Sequence, residues 1–155
     1  MSKKIPTSEE RKALELDVYE NLYRSKPSTR KPRIRSLLLK NSALRFETLI
    51  KQHCTNTTRV LEIGCGEGDY SIFCAKLGAQ VSAIDISQAA IKKAEINAEQ
   101  NELHSRVKFE RMDAEKLSFK EDSFDLIIDH EALSSLDFSN AFNEILRVTK
   151  PASGI

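Results

Sequence analysis

The sequence predicts an α/β fold in which a parallel sheet carries helices on both faces and follows an N-terminal helical segment. Three observations predict it. From residue 58 onward, short aliphatic and β-branched runs alternate with stretches of helical periodicity, the pattern that crossover connections impose on a parallel sheet. The first run, Val60-Leu61-Glu62-Ile63, opens straight into Gly64-Cys65-Gly66-Glu67-Gly68-Asp69, a glycine-rich turn between a strand and a helix. Carboxylates recur at the ends of the first three runs, at Glu62, Asp85 and Asp113, where parallel strands place their carboxyl ends side by side around one crevice.

The elements follow in order. Met1 to Pro6 reads as a mobile terminus. Thr7-Ser8-Glu9-Glu10 then starts a helix that runs to about Tyr23, because a hydroxyl caps the free amides and the acids suit the positive end of the helix dipole. Ser25 to Pro32, with two prolines and several polar residues, is a connector. A helical region from Arg33 to about His53 comes next, with Asn41-Ser42 as a candidate break point and Leu37, Leu38, Leu44, Leu49 and Ile50 roughly marking one face. Strands are expected at Thr58 to Ile63, Gln80 to Asp85, Val107 to Met112 and Phe124 to Asp129. Between them lie a helix from Asp69 to Leu77 that ends at Gly78, and a second that Ser87 caps and that repeats Ile91, Ala94 and Ala98 at helical spacing. A last helix, Phe138 to Thr149, is expected to bury Phe138, Ala141, Phe142, Ile145 and Leu146. Lys150-Pro151-Ala152-Ser153-Gly154-Ile155 reads as a turn into a fifth strand, so the chain reads as incomplete at its C-terminal end.

Composition sets the frame. At 155 residues and 40% hydrophobic, the chain can bury one core rather than two. This gives residues 1-55 as the helical segment, covering the site or packing on the sheet, and residues 56-155 as the sheet domain. The net charge of +1 excludes a strongly charged molecule overall and argues neither for nor against an anionic partner. Its distribution is uneven, since residues 24 to 51 hold nine Lys or Arg against the single acid Glu47. That segment is a candidate for nucleic acid or an anionic substrate, and it reads equally as a solvated helix face because aromatics are not interleaved with the charges. Cys54, Cys65 and Cys74 are odd in number, lack C-x-x-C spacing and follow no signal peptide, which fits a reducing cytoplasm. No apolar run reaches the roughly 20 residues of a membrane span. With His53, His104 and His130 scattered, no metal site is expected.

The chemistry centres on the glycine turn. Glycines at 64, 66 and 68 let the backbone adopt positive φ and leave no Cβ between main chain and ligand. Asp85, seventeen residues beyond Gly68, stands where a carboxylate accepts hydrogen bonds from two ribose hydroxyls. Capping is the other reading for Asp85 and Asp113, although Ser87 already holds the better capping position after Asp85. An acid at Glu62, among Val60, Leu61 and Ile63, is costly to bury alone, and the glycine loop or a ligand amine is its nearest candidate partner. Asp129, His130 and Glu131 fall where a substrate meets the cofactor. His130 is a candidate general base and Asp129 a candidate beside it, while a loop-capping role remains open for His130. Cys65 lacks a nearby base and is not read as a nucleophile.

Glu62-x-Gly64-x-Gly66-x-Gly68, Asp85, Asp113-Ala114 and Phe124-Asp125-Leu126-Ile127-Ile128, in that order, resemble the successive motifs of the class I, Rossmann-like S-adenosylmethionine-dependent methyltransferase family. Arg147-Val148-Thr149-Lys150-Pro151-x-x-Gly154 resembles the turn into that family's fifth strand. The resemblance covers Arg59 to Gly154 and implies S-adenosyl-L-methionine as cofactor and strand order 3-2-1-4. It implies that Glu62, Gly64, Gly66 and Gly68 hold the methionine portion, with Cys65 contributing backbone only. Asp85, with Ile86 beside it, would take the ribose, Asp113 and Ala114 the adenine, and Asp129 would close the cofactor site. The family normally has seven strands, and the last three complete the sheet and much of the acceptor wall.

Dinucleotide dehydrogenases share the strand, turn and ribose acid, but their third glycine position is Asp69 here. An anionic side chain at a helix start would repel a pyrophosphate and is tolerable beside a sulfonium. The loop Asp129-His130-Glu131-Ala132 lacks the Asn-Pro-Pro-Tyr type of sequence of enzymes that methylate amino groups of bases and glutamines. The resemblance therefore implies methyl transfer to a small-molecule or lipid-like acceptor. A non-catalytic cofactor-binding or scaffold module, and an RNA-directed methyltransferase using the basic segment, are the alternatives. Tyr19 and Tyr23 are candidates for a helical cover over the cofactor, or for helices packed on the sheet.

Overall fold

The computed structural model describes residues 7–24, 34–130, 132 and 138–151. The expected mobile terminus, connector and closing turn beyond Pro151, together with Glu131, lie outside them. Nine elements occur among the described residues: α1 (Ser8–Arg24), α2 (Ile34–His53), β1 (Arg59–Ile63), α3 (Asp69–Lys76), β2 (Gln80–Asp85), α4 (Gln88–Gln100), β3 (Val107–Arg111), β4 (Leu126–Asp129) and α5 (Phe138–Val148).

The four strands form one parallel sheet in the order β3-β2-β1-β4. Ile63 at the end of β1 stands level with Ile84 of β2 and Asp129 of β4, so the strand ends form a common rim. Alternation along β1 sends successive side chains to opposite faces. Val60 joins a core with Ile50, Cys74, Ala75 and Ile91 from α2, α3 and α4. Leu61 and Ile63 join a second core with Leu117, Phe124 and Val148, against which Ile145 of α5 packs. Helices thus cover both faces, as expected.

Local chemistry sets the boundaries. The Thr7 hydroxyl accepts from the Glu10 amide at 3.2 Å while the Glu10 carboxylate accepts from the Thr7 amide at 2.8 Å, a reciprocal capping box that starts α1. The Ser87 hydroxyl accepts from the Ala90 amide at 3.2 Å and starts α4. Gly78 follows α3 at φ +98°, where a Cβ would come within 2.9 Å of Asn56 Cβ.

Two expectations differ from the structure. α2 runs unbroken through Asn41-Ser42, because neither residue removes a helical hydrogen bond in the way a proline would. On α5, Ala141 is buried and Ile145 partly so, but Phe138, Phe142 and Leu146 are exposed, with the two phenylalanine rings stacked at 5.4 Å. The periodicity identified an apolar face correctly but carried no information on what covers it. Beyond α5, Thr149 bridges Phe124 in parallel and the Lys150 amide donates to the Phe124 carbonyl at 2.9 Å, so the chain turns in beside β4. Among the described residues no helix is long and apolar enough to cross a membrane.

Candidate functional site

At the carboxyl ends of the strands lies a cavity of about 430 Å³. Its floor is the end of β1 and the glycine turn, Glu62 to Glu67, continuing into Asp69 and Tyr70 of α3. Ile84, Asp85 and Ile86 come from β2, Met112, Asp113 and Ala114 from the end of β3, and His130 and Ala132 from beyond β4. Lys12 and Tyr23 reach it from α1.

The turn must pass close beneath anything in the cavity. Gly64 has φ +66°, and a Cβ there would collide with Ala132 Cβ. Gly66 has φ +55°, a Cβ there would lie 2.6 Å from Tyr23 Oη, and its amide donates to Asp85 Oδ2 at 2.9 Å. Asp85 Oδ1 accepts from the Ser87 amide at 2.8 Å, so this one carboxylate pins the glycine turn to the start of the α4 connection. Burial pushes the Asp85 carboxyl above its ordinary range, against the lowering effect of the Ser87 and Gly66 amides.

Glu62 is 3% exposed and accepts a short hydrogen bond from the Ser71 hydroxyl. Its partner is therefore a side chain in the first turn of α3, not the glycine loop. Burial raises its pKa to about 7, partly offset by the Ser71 hydrogen bonds and reinforced by the charges of Asp69 and Asp85. Cys65 is buried too, and desolvation together with Glu62 and Asp85 pushes its thiol far upward, which keeps it protonated.

Asp113 Oδ1 accepts from the Glu115 amide at 2.9 Å, and Oδ2 pairs with Lys12 at 2.9 Å. Lys12 also meets Glu115 at 2.6 Å. Burial alone would lower the Lys12 pKa, but Glu115 and Asp113 outweigh it and raise the value. Glu20 accepts from the Ser87 hydroxyl at 3.0 Å and the Ala89 amide at 3.2 Å, holding α1 to the start of α4.

The β4 side of the cavity is aromatic. Tyr70 meets Phe46 of α2 edge to face at 4.9 Å, and His130 lies 5.2 Å from Tyr70 and 5.5 Å from Phe46. His130 is exposed at this rim.

Of the residues singled out in the sequence, Glu62, Gly64, Cys65, Gly66, Asp85, Ile86, Asp113, Ala114 and His130 meet at the cavity. Gly68 and Asp129 do not line it. Gly68 instead caps α3 at φ +80° beneath Phe109 and Ala94, so its smallness serves packing. Lys12 and Tyr70 line the cavity without having been singled out. Lys12 lies 101 residues from its partner Asp113, a separation that leaves no local signal. In the basic segment, Arg24 pairs with Glu20 at 3.5 Å and Lys51 lies over Phe73. Lys26, Arg30, Lys31 and Arg33 lie outside the described residues. Among the described residues no three His, Cys, Asp or Glu side chains are grouped to hold a metal.

The residues fit S-adenosyl-L-methionine. A Cβ-free cradle, a carboxylate at the ribose position, and Ile84, Ile86, Met112 and Ala114 for a flat base surround one space of ligand size. Comparison with known proteins agrees. A family model described as "Methyltransferase domain" matches residues 55–155. The chain is similar to the demethylmenaquinone methyltransferase of Lactiplantibacillus plantarum, 34% identical over 113 residues, 70% of this chain and 48% of that protein. It is 31% identical to the norajmaline N-methyltransferase of Rauvolfia serpentina over 117 residues, 74% of this chain and 40% of that one. The crystal structure of the YcgJ protein from Bacillus subtilis superposes with a TM-score of 0.66 at 28% identity, covering 70% of this chain and 47% of that one. The chain thus spans less than half the length of these relatives.

Proposed function

The chain belongs to the methyltransferase-domain family, whose cofactor is S-adenosyl-L-methionine, and from that premise we propose that it serves methyl transfer to a small-molecule or lipid-like acceptor. The observation that carries this reading is the Gly66 amide bound to Asp85 under the cavity, which joins the two sequence marks of a nucleoside site in one contact. When bound, the cofactor would supply a sulfonium methyl group whose carbon an acceptor lone pair attacks in line, the C–S pair leaving with the thioether sulfur.

The chain's own residues would then act mainly by holding donor and acceptor in register. Asp85 would accept from the ribose hydroxyls through the lone pairs that the Gly66 and Ser87 amides leave open. Asp113 and Ala114, with Ile86 and Met112, would take the base. Glu62, clamped by Ser71, would shape the turn from below, and Gly64 and Gly66 would admit the methionine end. His130 would take a proton from acceptors that must lose one, whereas Asp129, one residue before it in the chain, stands outside the cavity lining. Within residues 1-55, α1 would cover this site while α2 packs on the sheet, and residues 56-155 would form the cofactor-binding domain. Three free, buried cysteines suit a reducing, cytoplasmic setting.

Calorimetry with S-adenosyl-L-methionine, S-adenosylhomocysteine and a nicotinamide dinucleotide tests the reading. Both sulfur ligands should bind and the dinucleotide should not. Asp85→Ala should weaken the sulfur ligands by about 1 to 3 kcal/mol through the lost ribose contacts. A folded protein that binds neither sulfur ligand would overturn the proposal.

A further inference from the structure

We infer that the methyl acceptor is a small amine, bound as its ammonium ion against the Tyr70 ring beside His130. The inference rests on the methyltransferase reading and concerns the acceptor end of the same cavity.

Three elements converge there. Tyr70 stands in the first turn of α3, His130 directly follows β4, and Phe46 comes from α2. Tyr70 and His130 line the cavity, while Phe46 packs behind both, with centroids 4.9 and 5.5 Å away. Phe46 meets Tyr70 at 80°, and that edge-to-face contact fixes the plane of the Tyr70 ring. A fixed aromatic ring offers a negative quadrupole to a cation and loses little entropy when one arrives.

Charge around the cavity selects the same sign. Lys12 is the only Lys or Arg lining it among the described residues, and Asp113 and Glu115 already engage it. An anionic acceptor would have to compete with Asp113 and Glu115 for Lys12, and Asp69, next to Tyr70 in the chain, would repel it. An ammonium meets neither obstacle.

The position of His130 completes the chemistry. An ammonium must give up one N–H proton before its nitrogen has a lone pair, and the His130 imidazole at the rim can accept it and release it to solvent. The nitrogen pair then forms the N–C bond as the C–S pair returns to sulfur. The products are a methylated ammonium, S-adenosylhomocysteine and one released proton.

The test uses the full chain saturated with S-adenosylhomocysteine and three probes of matched shape: butylamine, butanol and butyrate. NMR titration should show butylammonium shifting the Tyr70 and His130 ring signals and binding about fivefold tighter than butanol, with butyrate silent. Tyr70→Leu should remove that preference and Tyr70→Phe should keep it. Butanol or butyrate binding as well as the amine, or an undiminished amine preference in Tyr70→Leu, would overturn the inference and leave the methyltransferase reading standing. Failure of S-adenosylhomocysteine itself to bind would remove that reading and this inference together.

Discussion

Glu62 concentrates the physical cost of the site in one side chain. It is 3% exposed beneath a turn that also holds Asp85, and its proton stays on until about pH 7. In the unfolded chain the same group ionises near pH 4.5. The folded value is raised, so the group's contribution to stability is fully present below pH 4.5 and is lost as pH rises toward 7. A gap of about 2.5 pKa units corresponds to about 3 kcal/mol lost by pH 8. Glu62→Gln keeps the shape, can still accept from Ser71 and does not titrate. Its stability relative to wild type should therefore climb by about 3 kcal/mol between pH 4.5 and 8 in urea unfolding, and parallel pH curves for the two proteins would refute the assignment. A second substitution tests the turn. Gly64→Ala demands a Cβ at φ +66° that would collide with Ala132 Cβ, and should cost about 2 kcal/mol or more in stability and weaken cofactor binding with it. The placement of Gly64, Gly66, Asp85 and Asp113 at one cavity was legible because strand ends and a short motif set it. Ser71 as the partner of Glu62 was readable only in hindsight, as a hydroxyl in the first turn of the next helix. Lys12 and Tyr70 were not legible, since nothing in a helix pattern says which side chain will face a strand end far along the chain.

α1 shows how an element can be placed by polar contacts. Its exposed Leu14 and Val18, at 64% and 63%, add nothing to its docking. Among the described residues, it is tied down by Glu20 at the start of α4, reaching the Ser87 hydroxyl and the Ala89 amide, by Lys12 between Asp113 and Glu115, and by the Tyr23 ring beneath Lys93. The amides at a helix start attract a carboxylate, which also explains why the Glu20 pKa is lowered, first through Ala89. Glu20→Ala should therefore free α1 before it affects the sheet. Limited trypsin digestion should cut after Arg24 several-fold faster in the variant, while the strands keep their hydrogen-exchange protection. Bound S-adenosylhomocysteine should slow that cut in wild type, because Lys12 and Tyr23 line the cavity it fills. Equal cleavage in both proteins would show that Glu20 is not an anchor. The sheet itself was legible almost residue by residue, since β-branched runs and turn glycines are local signals. The docking of α1 and the exposed face of α5 were not, because each depends on what lies opposite.

Across the whole molecule, acidic groups pull stability in opposite directions with pH. Glu62 and Asp85 are raised by burial, whereas Asp125 and Glu144 are held low by Lys150 and Arg147. The latter pair sits where the last crossover returns to the sheet. Asp125 accepts from the Arg59 amide at 2.8 Å and from Lys150 at 2.6 Å, linking the start of β1 to the segment after α5. Arg147 donates to the Phe119 carbonyl at 2.7 Å and the Leu117 carbonyl at 3.0 Å while paired with Glu144, which in turn accepts from the Leu117 amide at 2.7 Å. One guanidinium thus satisfies two backbone carbonyls of the connection before β4 and orients the carboxylate that satisfies an amide. Arg147→Ala leaves these groups without that donor, so β4 and α5 should loosen together. At pH 7 a loss of about 2 to 4 °C in Tm is expected, the scale of one modest network in a chain of this length. Arg147→Lys should recover only part of it, because a point charge cannot reach both carbonyls and the carboxylate at once. A depressed carboxyl gives stability that is present above the unfolded range near pH 4.5 and is lost as pH falls through its lower folded value. The gap between wild type and Arg147→Ala should therefore hold from pH 7 down to about 5 and narrow below it. A gap that is absent at pH 7, or that does not narrow in acid, would mean that Arg147 does not tie the crossover to the sheet.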